Sequence, residues 1–343
     1  MPDPAFSWRE RSVLVTGGAS FIGSHLVDAL VALGAHVRVA DDLSSGTVEN
    51  LQTHLDAGSI DFREGDLRDA TFARDAAAGT SVVFHLAADH GGRGYVDLNQ
   101  AACATNLVLD GVVFAAAVAA GVDKVVYASS GCVYPNFRQM DVSEALYLDE
   151  TAAGPPYDAD NLYGWAKLMG EMTLRALHRE RAIKAASCRY FTVYGRRGRE
   201  NHAVIAMIAR AFLKQTPFEL WGTGEQIRNW THVGDIVEGT ILAAERIDDA
   251  TAINLGTMER IRVIDAAREV LRYTGLEIPI ATQPDQPTGP LNRVADNALA
   301  RRLLGWEPRV RFVDGLHDTI DWYFATKDRA EIARDFESLL TSR

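Results

Sequence analysis

Two residues in the segment YGWAK have the types and the spacing of a proton-transfer pair. Tyr163 and Lys167 lie four residues apart, so on a helix one stands above the other on the same face. A lysine ammonium beside a phenol stabilises the phenolate and lowers the pKa of the phenol toward the working range of an enzyme. Ser130, at the end of an upstream apolar run, is placed to hold a substrate hydroxyl. Together the three side chains predict a site that removes the proton of such a hydroxyl.

A cysteine lies two residues past Ser130, in the segment SSGCVYP, and two roles are open to it. Cys132 either packs the end of a strand or acts as a base, because nearby positive charge can support a thiolate. The other two of the three cysteines, Cys103 and Cys188, stand in apolar segments and are predicted to be small buried hydrophobes. The chain has no CxxC pair and no metal-ligand spacing, so no metal site is predicted and a reducing, cytoplasmic location is expected.

The segment TGGASFIGSHL, residues 16–26, predicts a dinucleotide site. It ends a β-branched run and opens a helical pattern, so a diphosphate would lie at the helix N-terminus, where free N–H groups and the helix dipole favour anions. Asp41 and Asp42 end the next apolar run, and a carboxylate there accepts ribose hydroxyls and repels a 2′-phosphate, which predicts NAD over NADP. Ser20 replaces the middle glycine of the pattern, and its hydroxyl could bond a phosphate oxygen. The residues predicted to contact NAD are Gly17, Gly18, Ser20, Phe21, Ile22, Gly23, Asp41, Asp42, Asp66, Leu67, Leu86, Ala87, Ala88, Tyr163 and Lys167.

Alternating strand and helix patterns must position these residues. Runs of nearly continuous apolar character at residues 12–17, 36–42, 59–66, 81–88, 124–130 and 184–195 are typical of parallel strands buried on both faces. Helical spacing occurs between them at residues 24–35, 70–78 and 105–121. The alternation predicts an α/β protein with a Rossmann-type, doubly wound parallel sheet.

The pattern loosens after Gly195, where a smaller C-terminal α/β lobe is predicted to close over the carboxyl edge of the sheet. Residues 195–201 and 216–235 are loop-rich and basic, residues 263–275 are predicted to be a helix, and residues 282–293 a proline-rich loop. A chain of 343 residues is long enough for two such parts. The NAD-binding domain is therefore assigned to residues 1–195, rejoined by about 229–256, and the substrate-binding lobe to residues 196–228 and 257–343.

The composition narrows the classes of partner. Hydrophobic residues make up 47% and charged residues 24%, as in ordinary globular proteins. The formal net charge of −11 argues against nucleic acid, so an anionic small molecule would need a local cluster of arginines. No apolar run is expected to approach the length of a membrane span and no signal peptide is predicted at the start, so no membrane partner is expected.

The segments TGGASFIG, SSGCVYP and YGWAK together make the chain resemble the extended short-chain dehydrogenases/reductases that act on nucleotide sugars. The resemblance continues through LAADHGGRGYV, RYFTVYG, GTGEQIRNWTHVGD, NLG and LGWEP, and so covers nearly the whole chain. Within that group the chain is most similar to the GDP-mannose 3,5-epimerase family, on the segments LAADHGGRGYV and SSGCVYPNFRQ.

That resemblance implies epimerisation through a 4-keto sugar. Tyr163 would take the proton of the sugar 4-hydroxyl while NAD takes the hydride from C4, and the ketone would acidify the C–H bonds at C3 and C5. Cys132 matches the position of the family's catalytic cysteine and is the candidate base, a role that contributes on the order of 10²–10⁴ in rate. Return of the hydride would leave no net redox change.

The resemblance also implies a set of substrate contacts. Arg228 and Arg293 match arginines that grip the diphosphate, a task that suits guanidinium groups. Gly91 and Gly92 match the family's Gly-Gly loop, and Thr192 stands where relatives often have an asparagine that touches the sugar. A homodimer is expected because residues 106–121 and 163–177 are apolar on more than one face.

One departure from the family keeps other activities open. The family's partner acid is a lysine, and GRRGRENHAVI, residues 195–205, contains none. His202, Arg197 and Arg199 are the candidate replacements, although an arginine is a poor proton donor because it stays charged. The runner-up is therefore a nucleotide-sugar 4-epimerase with Cys132 as a bystander. A 4,6-dehydratase is disfavoured because its acidic pair is missing, and an inactive NAD-binding regulator because such a protein has no need of the Tyr163–Lys167 pair.

Overall fold

A seven-stranded sheet carries the glycine-rich turn and the predicted catalytic residues at its carboxyl edge. The computed structural model describes residues 7–9 and 11–341, and the first six residues, at which no signal peptide is predicted, lie outside this part. The strands are β1 (Ser12–Thr16), β2 (His36–Asp41), β3 (Ile60–Glu64), β4 (Val82–His85), β5 (Lys124–Ser130), β6 (Lys184–Tyr190), β7 (Val193–Tyr194), β8 (Phe218–Trp221), β9 (Ile227–Arg228), β10 (Thr231–His232), β11 (Asp249–Leu255), β12 (Ile261–Arg262), β13 (Ile280–Gln283) and β14 (Asn292–Arg293). The helices are α1 (Phe21–Ala32), α2 (Gln52–Asp56), α3 (Ala70–Ala77), α4 (Arg93–Leu98), α5 (Gln100–Ala104), α6 (Asn106–Ala119), α7 (Asn161–Arg181), α8 (Ala203–Leu213), α9 (Val233–Arg246), α10 (Val263–Tyr273), α11 (Ala298–Leu304), α12 (Phe312–Thr326) and α13 (Arg329–Leu339).

The strand order of the large sheet is β11-β6-β5-β4-β1-β2-β3, and every neighbouring pair is parallel. The predicted doubly wound parallel sheet is confirmed. Because the chain runs outward in both directions from the β1–β4 pair, a crevice opens at the carboxyl ends of these two strands. The edge strand β11 lies within the range 229–256 that the sequence assigns to the first domain, and the division into domains itself stays a prediction.

The apolar runs of the strands are buried on both faces, as the sequence indicates. One face packs with α1, α9 and α11 in a core that includes Val15, Leu26, Ile236 and Leu304. The other face packs with α3 and α6 around Phe114 and neighbouring side chains. Burial of this apolar surface stabilises the sheet by about 25 cal/mol per Å², and it fixes the positions of the strand ends that carry the site.

The C-terminal lobe contains short strands in two segments that the sequence assigns to loops. Residues 216–235 include β8, β9 and β10, and residues 282–293 begin in β13 and end in β14. Strand β8 pairs in parallel with β13, and β9 lies between β12 and β14. Strands of two to four residues are too short to give an alternation pattern, which is why the sequence does not predict them. Helices α8, α10, α12 and α13 surround the core of this lobe.

One expectation about hydropathy is wrong. Helices α5 and α6 together form an apolar stretch, Gln100–Ala119, that by length and composition is long enough to cross a membrane, with a mean hydropathy of 1.8. Of its most apolar 18-residue window, 44% is buried inside the protein. The stretch packs against α3 and α7, as a core helix of the sheet layer does.

Candidate active site

A cavity of about 420 Å³ opens at the carboxyl edge of the sheet, under the C-terminal lobe. It runs from the turn after β1, past the ends of β5 and the start of α7, to α8 and β8. Of the residues that the sequence predicts for NAD and substrate, all border this cavity except Gly18, where a Cβ would instead meet a Val39 methyl at 2.7 Å. The roles of these residues stay predictions, and the contacts described next decide what each one can do.

The turn after β1 brings the backbone close to β4 and to the start of α1. Gly17 has a φ of +70°, and a Cβ there would lie 2.8 Å from the nitrogen of Ala87, so only glycine fits. A Cβ on Gly23 would lie 2.1 Å from the carbonyl oxygen of Gly17. The Ser20 hydroxyl donates to that same oxygen at 2.6 Å, which engages it within the turn instead of with a phosphate. The free N–H groups at the start of α1 border the cavity, where a diphosphate fits.

Two carboxylates border the cavity at the end of β2. Asp41 is buried and accepts the backbone N–H groups of Ala19 and Leu43, both at 2.9 Å, which ties the turn to the strand. The exposed Asp42 accepts the N–H of Ser44 at 3.0 Å. Negative charge therefore lies beside the glycine-rich turn, where the sequence predicts it to accept ribose hydroxyls and to repel a 2′-phosphate.

The Tyr163–Lys167 pair lies on α7 as the spacing predicts. Lys167 is buried, and within the described part of the chain its Nζ has no hydrogen-bond partner, although it borders the cavity. A buried donor without a partner is costly unless a ligand supplies an acceptor, so this atom fits the ribose hydroxyls of NAD. The ring of His90 stacks on Tyr163 with 4.5 Å between the centroids and 23° between the planes. The stacked imidazole holds the phenol in one orientation.

The expected lowering of the Tyr163 pKa does not occur in the protein alone. Burial raises the pKa of this phenol well above its ordinary value, Cys132 adds to the rise, and a hydrogen bond with Ser130 opposes it. Lys167 Nζ lies 5.8 Å from the centroid of the Tyr163 ring, and burial also lowers the pKa of this lysine. The spacing of two residues predicts that they meet, whereas the loss of water around them is decided by the fold.

Ser130 and Cys132 lie at the end of β5, above a buried ion pair. The backbone N–H of Cys132 donates to the Ser130 hydroxyl oxygen at 3.1 Å. One residue earlier, the Ser129 hydroxyl donates to Glu171 of α7 at 2.6 Å, and the same carboxylate pairs with Arg189 of β6 at 2.8 Å. These buried bonds link β5, β6 and α7 directly below the predicted base.

A guanidinium group is held against the thiol of Cys132. Arg293 of β14 donates from Nη1 to the sulfur at 3.2 Å, from Nε to Gln139 at 2.7 Å and from Nη2 to Asp160 at 2.9 Å. Asp160 also accepts from Arg93 at 2.8 Å. The resemblance implies that Arg293 grips a diphosphate, but in this structure its contacts direct positive charge at the sulfur. The positive charge that a catalytic role of Cys132 requires is therefore present beside the sulfur.

Arg228 also borders the cavity and has no carboxylate partner in the described part of the chain. Its guanidinium donates to the carbonyl oxygens of Ile227 and Thr288, both at 2.8 Å. Loss of hydration lowers its pKa, and the like charges of Arg293 and Arg93 lower it further. A cluster of cations with too few carboxylates is stabilised by an anion, so Arg228 is well suited to bind a diphosphate.

The candidate replacements for the family's acid lysine fall in different places. Arg197 pairs with Asp28 of α1 at 2.8 Å and does not border the cavity. Arg199 borders it and donates to the carbonyl oxygen of Ser45 at 2.8 Å. His202 borders it as well, and loss of hydration, aided by Arg199, lowers the pKa of its imidazole to about 4. At neutral pH His202 is therefore uncharged, which makes it a weak source of protons.

The far end of the cavity combines a buried cation, a carboxylate and an indole. Arg210 of α8 is 4% exposed, its Nη1 donates to the Ala206 carbonyl oxygen at 3.2 Å, and its Nε has no partner in the described residues. Glu219 of β8 is close enough to raise the pKa of Arg210, which burial lowers. Trp221 borders the same end and packs close to Gly94 of α4. The guanidinium can donate hydrogen bonds to a ligand and the carboxylate can accept them, both beside an aromatic ring.

Several residues of the cavity, and the Asp160 carboxylate that holds two of its arginines, are not among those predicted. His90 and Arg93 flank the predicted Gly-Gly loop, and Asp160 directly precedes α7, so their positions in these segments were the available signal. Arg210 is a single arginine in an otherwise apolar helix, which is also readable in the sequence. Glu219 gives no signal of its own, because nothing in a four-residue strand indicates which side chain faces a cavity.

The model of one protein family matches most of the chain. The model of a family described as the NAD dependent epimerase/dehydratase family matches residues 13–256. That range includes the glycine-rich turn, Ser130, Cys132 and the Tyr163–Lys167 pair, and it ends one residue after β11.

Similar proteins of two activities are found at the same level of identity. GDP-mannose 3,5-epimerase 1 of Oryza sativa subsp. japonica is 31% identical over 316 residues, which cover 90% of this chain and 81% of the relative. UDP-glucose 4-epimerase of Mycolicibacterium smegmatis is 31% identical over 322 residues, which cover 90% of this chain and 97% of the relative. The crystal structure of UDP-glucose 4-epimerase from Thermotoga maritima with UDP-glucose superposes with a TM-score of 0.83 at 29% identity, and the match covers 92% of this chain and 99% of the other.

Proposed function

Because the chain belongs to the NAD-dependent epimerase/dehydratase family, we propose that it acts like a GDP-mannose 3,5-epimerase. It would invert C3 or C5 of a nucleotide-diphosphate sugar through a 4-keto intermediate. The observation that carries the proposal is the contact of 3.2 Å between the Arg293 guanidinium and the Cys132 sulfur inside the cavity. A cysteine that only packs a strand end has no need of a buried cation directed at its sulfur.

The first step assigned to this chain is removal of the proton from the sugar 4-hydroxyl. Tyr163 takes that proton, and Ser130 hydrogen-bonds the same hydroxyl and holds it in line. Lys167 holds the cofactor ribose through its unpartnered Nζ and supports the phenolate by its charge. When bound, NAD supplies the hydride acceptor for C4 and later returns the hydride. The positive charge of the oxidised nicotinamide would also offset the effect of burial on the Tyr163 pKa.

The second step is proton removal next to the new ketone. The Cys132 thiolate, supported by Arg293, takes the proton from C3 or C5, and a proton returned from the other face inverts that carbon. Arg228, whose partners among the described residues are carbonyl oxygens, binds the diphosphate and so fixes the distance of the sugar from the sulfur.

The acid side of the site favours a second candidate, a 4-epimerase. Of the candidate proton donors, His202 borders the cavity and carries a titratable imidazole. The pKa of this imidazole, about 4, leaves it uncharged at neutral pH. A 4-epimerase needs no such acid, because the sugar turns over and receives the hydride on its other face. The UDP-glucose 4-epimerase of Mycolicibacterium smegmatis is as similar to this chain as the rice 3,5-epimerase is.

The far end of the cavity supports guanine as the base of the nucleotide. A carboxylate such as Glu219 can accept both the N1–H and the 2-amino group of guanine, and a guanidinium such as Arg210 can donate to O6 and N7. Uracil and thymine present one N–H between two carbonyl oxygens, so the same carboxylate would face a repelling lone pair. Trp221 offers a ring on which the base can stack.

A homodimer is part of the proposal. Apolar side chains on the adjacent helices α6 and α7 are exposed in two stripes: Leu107 is 51% and Val108 57% exposed, and Trp165 is 39% and Met169 44% exposed. Pairing of the two helices with those of a second subunit would cover both stripes in one interface.

Incubation of the purified protein with GDP-, UDP- and dTDP-sugars in D₂O tests the mechanism. We expect deuterium at C3 or C5 of a GDP-sugar, because enolisation exchanges the proton with solvent. Inversion at C4 without deuterium would instead establish the 4-epimerase.

The Cys132→Ser variant assigns the base. It nearly keeps the volume of the side chain but offers a much weaker base, so it should still form NADH transiently yet lose deuterium incorporation by at least ~10²-fold. Cys188→Ala, which alters a buried cysteine of β6 away from the cavity, is the matched control. If Cys132→Ser incorporates deuterium into the sugar at the wild-type level, this cysteine serves only packing.

A further inference from the structure

A buried carboxylate lies behind the Tyr163–Lys167 pair, and the mechanism above does not use it. Asp110 of α6 is 3% exposed. One of its oxygens lies 3.0 Å from Nε2 of His85, and the other accepts the Tyr127 hydroxyl at 2.5 Å. His85 and Tyr127 stand on the neighbouring strands β4 and β5 and are fully buried. A carboxylate in such surroundings is costly unless it is hydrogen-bonded and its charge is balanced.

The hydrogen bonds around His85 determine where the protons are. The Thr16 hydroxyl oxygen accepts the backbone N–H groups of Leu86 and Ala87, both at 3.1 Å, so its own hydrogen is free to point at Nδ1 of His85, 2.8 Å away. Nε2 of the imidazole then carries the hydrogen that it donates to Asp110. Burial lowers the pKa of His85, so the ring is neutral. Asp110 therefore receives two neutral hydrogen-bond donors, and neither of them balances its charge.

The charge that does balance it is that of Lys167. The ammonium lies 4.6 Å from the centroid of the Tyr127 ring, a cation–π distance, and the hydroxyl of the same ring donates to Asp110. Burial lowers the pKa of Lys167, and Asp110 is the group that opposes this.

Among the described residues, the other titratable groups near Lys167 do not supply negative charge. Tyr163 on its own helix and Tyr127 are neutral phenols whose pKa values burial raises, and His85 is a neutral imidazole. Glu171, one turn along α7, is engaged by the buried Arg189. The countercharge for the ammonium therefore comes from Asp110.

We propose that Asp110 is a positioning residue for Lys167: its carboxylate supplies the negative charge that balances the buried ammonium across the Tyr127 ring. The inference rests on the proposed role of Lys167 in holding the cofactor. It adds that this role depends on a residue of another helix that touches neither cofactor nor sugar.

The affinity of the protein for NAD as a function of pH tests this proposal. In Asp110→Asn the carboxylate becomes a neutral amide of the same shape, so the pKa of Lys167 falls further below its unfolded value of 10.5 and the ammonium is lost at lower pH. Between pH 6.5 and pH 9 we expect NAD affinity to fall about tenfold in this variant and less than about twofold in the wild type. Titration calorimetry of cofactor-depleted protein measures both, and no sugar product is needed.

Tyr127→Phe is the matched control, because it removes one hydrogen bond to Asp110 but keeps the carboxylate and the ring under Lys167. Its affinity for NAD should depend on pH as that of the wild type does. If Asp110→Asn and the wild type give parallel profiles, Asp110 serves only packing and the proposal is wrong. A lack of activity on every nucleotide sugar would contradict the proposed function without altering these profiles.

A second variant covers the case in which Asp110→Asn does not fold. In Asp110→Asn/Lys167→Met both charges leave together, so the double variant should regain a cooperative thermal transition if the single variant fails through the uncompensated ammonium. A double variant that also fails would show that Asp110 is needed independently of Lys167, which overturns the proposal.

Discussion

Around Cys132 the placement of individual charges divides the arginines into two roles. Asp160 accepts from Arg93 and from Arg293, and Arg93 also pairs with Asp97. With Arg228, three guanidinium groups therefore face two carboxylates, and their positive charge is only partly offset. Arg228 lies in the same cluster, but its partners within the described part of the chain are carbonyl oxygens. One guanidinium is therefore hydrogen-bonded to the thiol, and another is left for the diphosphate.

Replacement of Arg293 by glutamine should slow alkylation of Cys132. The amide is neutral, so the thiolate loses the charge beside it, and we expect the rate with iodoacetamide at pH 7 to fall about tenfold. Mass spectrometry of the peptide that contains Cys132 measures this rate, and Cys103 and Cys188 are buried. Arg228→Gln should slow alkylation less than Arg293→Gln does, because the hydrogen bond to the sulfur comes from Arg293, and it should weaken nucleotide-sugar binding. Equal rates in wild type and Arg293→Gln would mean that this arginine does not support the thiolate.

Tyr163→Phe should abolish turnover and leave nucleotide-sugar binding nearly intact. The change removes the proton acceptor for the sugar hydroxyl but keeps the ring stacked on His90, so the loss should be at least on the order of 10²–10⁴ in rate. Calorimetry follows binding, and chromatography of the sugars follows turnover. Tyr157→Phe, at a position 42% exposed, serves as the control. Substantial turnover by Tyr163→Phe would assign the first proton transfer to another group.

At the scale of elements, short strands of the C-terminal lobe position side chains whose locations no periodic pattern in the sequence predicts. Strand β8 follows α8 after four residues and pairs in parallel with β13. This arrangement brings Glu219 of β8 and Arg210 of α8 to one end of the cavity. The nucleotide base is therefore expected to be selected by two adjacent elements of the C-terminal lobe and not by the sheet.

Glu219→Gln should change the preference among nucleoside diphosphates. The wild type should bind GDP more tightly than UDP or dTDP, because the carboxylate accepts two hydrogen bonds from guanine. The amide offers one acceptor and one donor, so we expect GDP affinity to fall roughly 10–100-fold, with little change for UDP. Titration calorimetry with the three diphosphates measures this, and Glu225→Gln, an exposed carboxylate of the following loop, is the control. Tighter binding of UDP than of GDP by the wild type would contradict guanine as the base.

At the scale of the whole molecule, the apolar stripes on α6 and α7 lie on the layer that backs the catalytic pair. Trp165 and Met169 stand on the same helix as Tyr163 and Lys167, two and six residues after the tyrosine, with their side chains exposed. Burial of these stripes against a second subunit would therefore stiffen the helix that carries the proposed chemistry.

Trp165→Glu should convert the expected dimer to a monomer. A carboxylate in the centre of an apolar interface loses hydration without gaining a partner, so light scattering at micromolar concentration should give the mass of one 37.5 kDa chain instead of two. Leu303→Glu, at a position 41% exposed on α11, should remain dimeric. A monomeric wild type would rule the interface out.

The sequence by itself determined the parallel sheet, the glycine-rich turn and the pairing of Tyr163 with Lys167. These features follow from short-range physics: strands buried on both faces must be apolar throughout, a tight approach of backbones requires glycine, and residues four apart share a helix face. The sequence also determined the class of cofactor, because the family is recognisable from those segments. The match of the NAD-dependent family over residues 13–256 confirms this cofactor class.

Only the tertiary structure decided the electrostatics of the site. Arg293 reaches Cys132 across 161 residues, Asp110 lies 57 residues before Lys167, and no periodicity links members of such pairs. The same holds for the pKa of Tyr163, which the spacing predicts to fall and which burial raises. Desolvation and charge depend on every element packed around a group, so they are set when distant segments meet, and the sequence states only which groups are available.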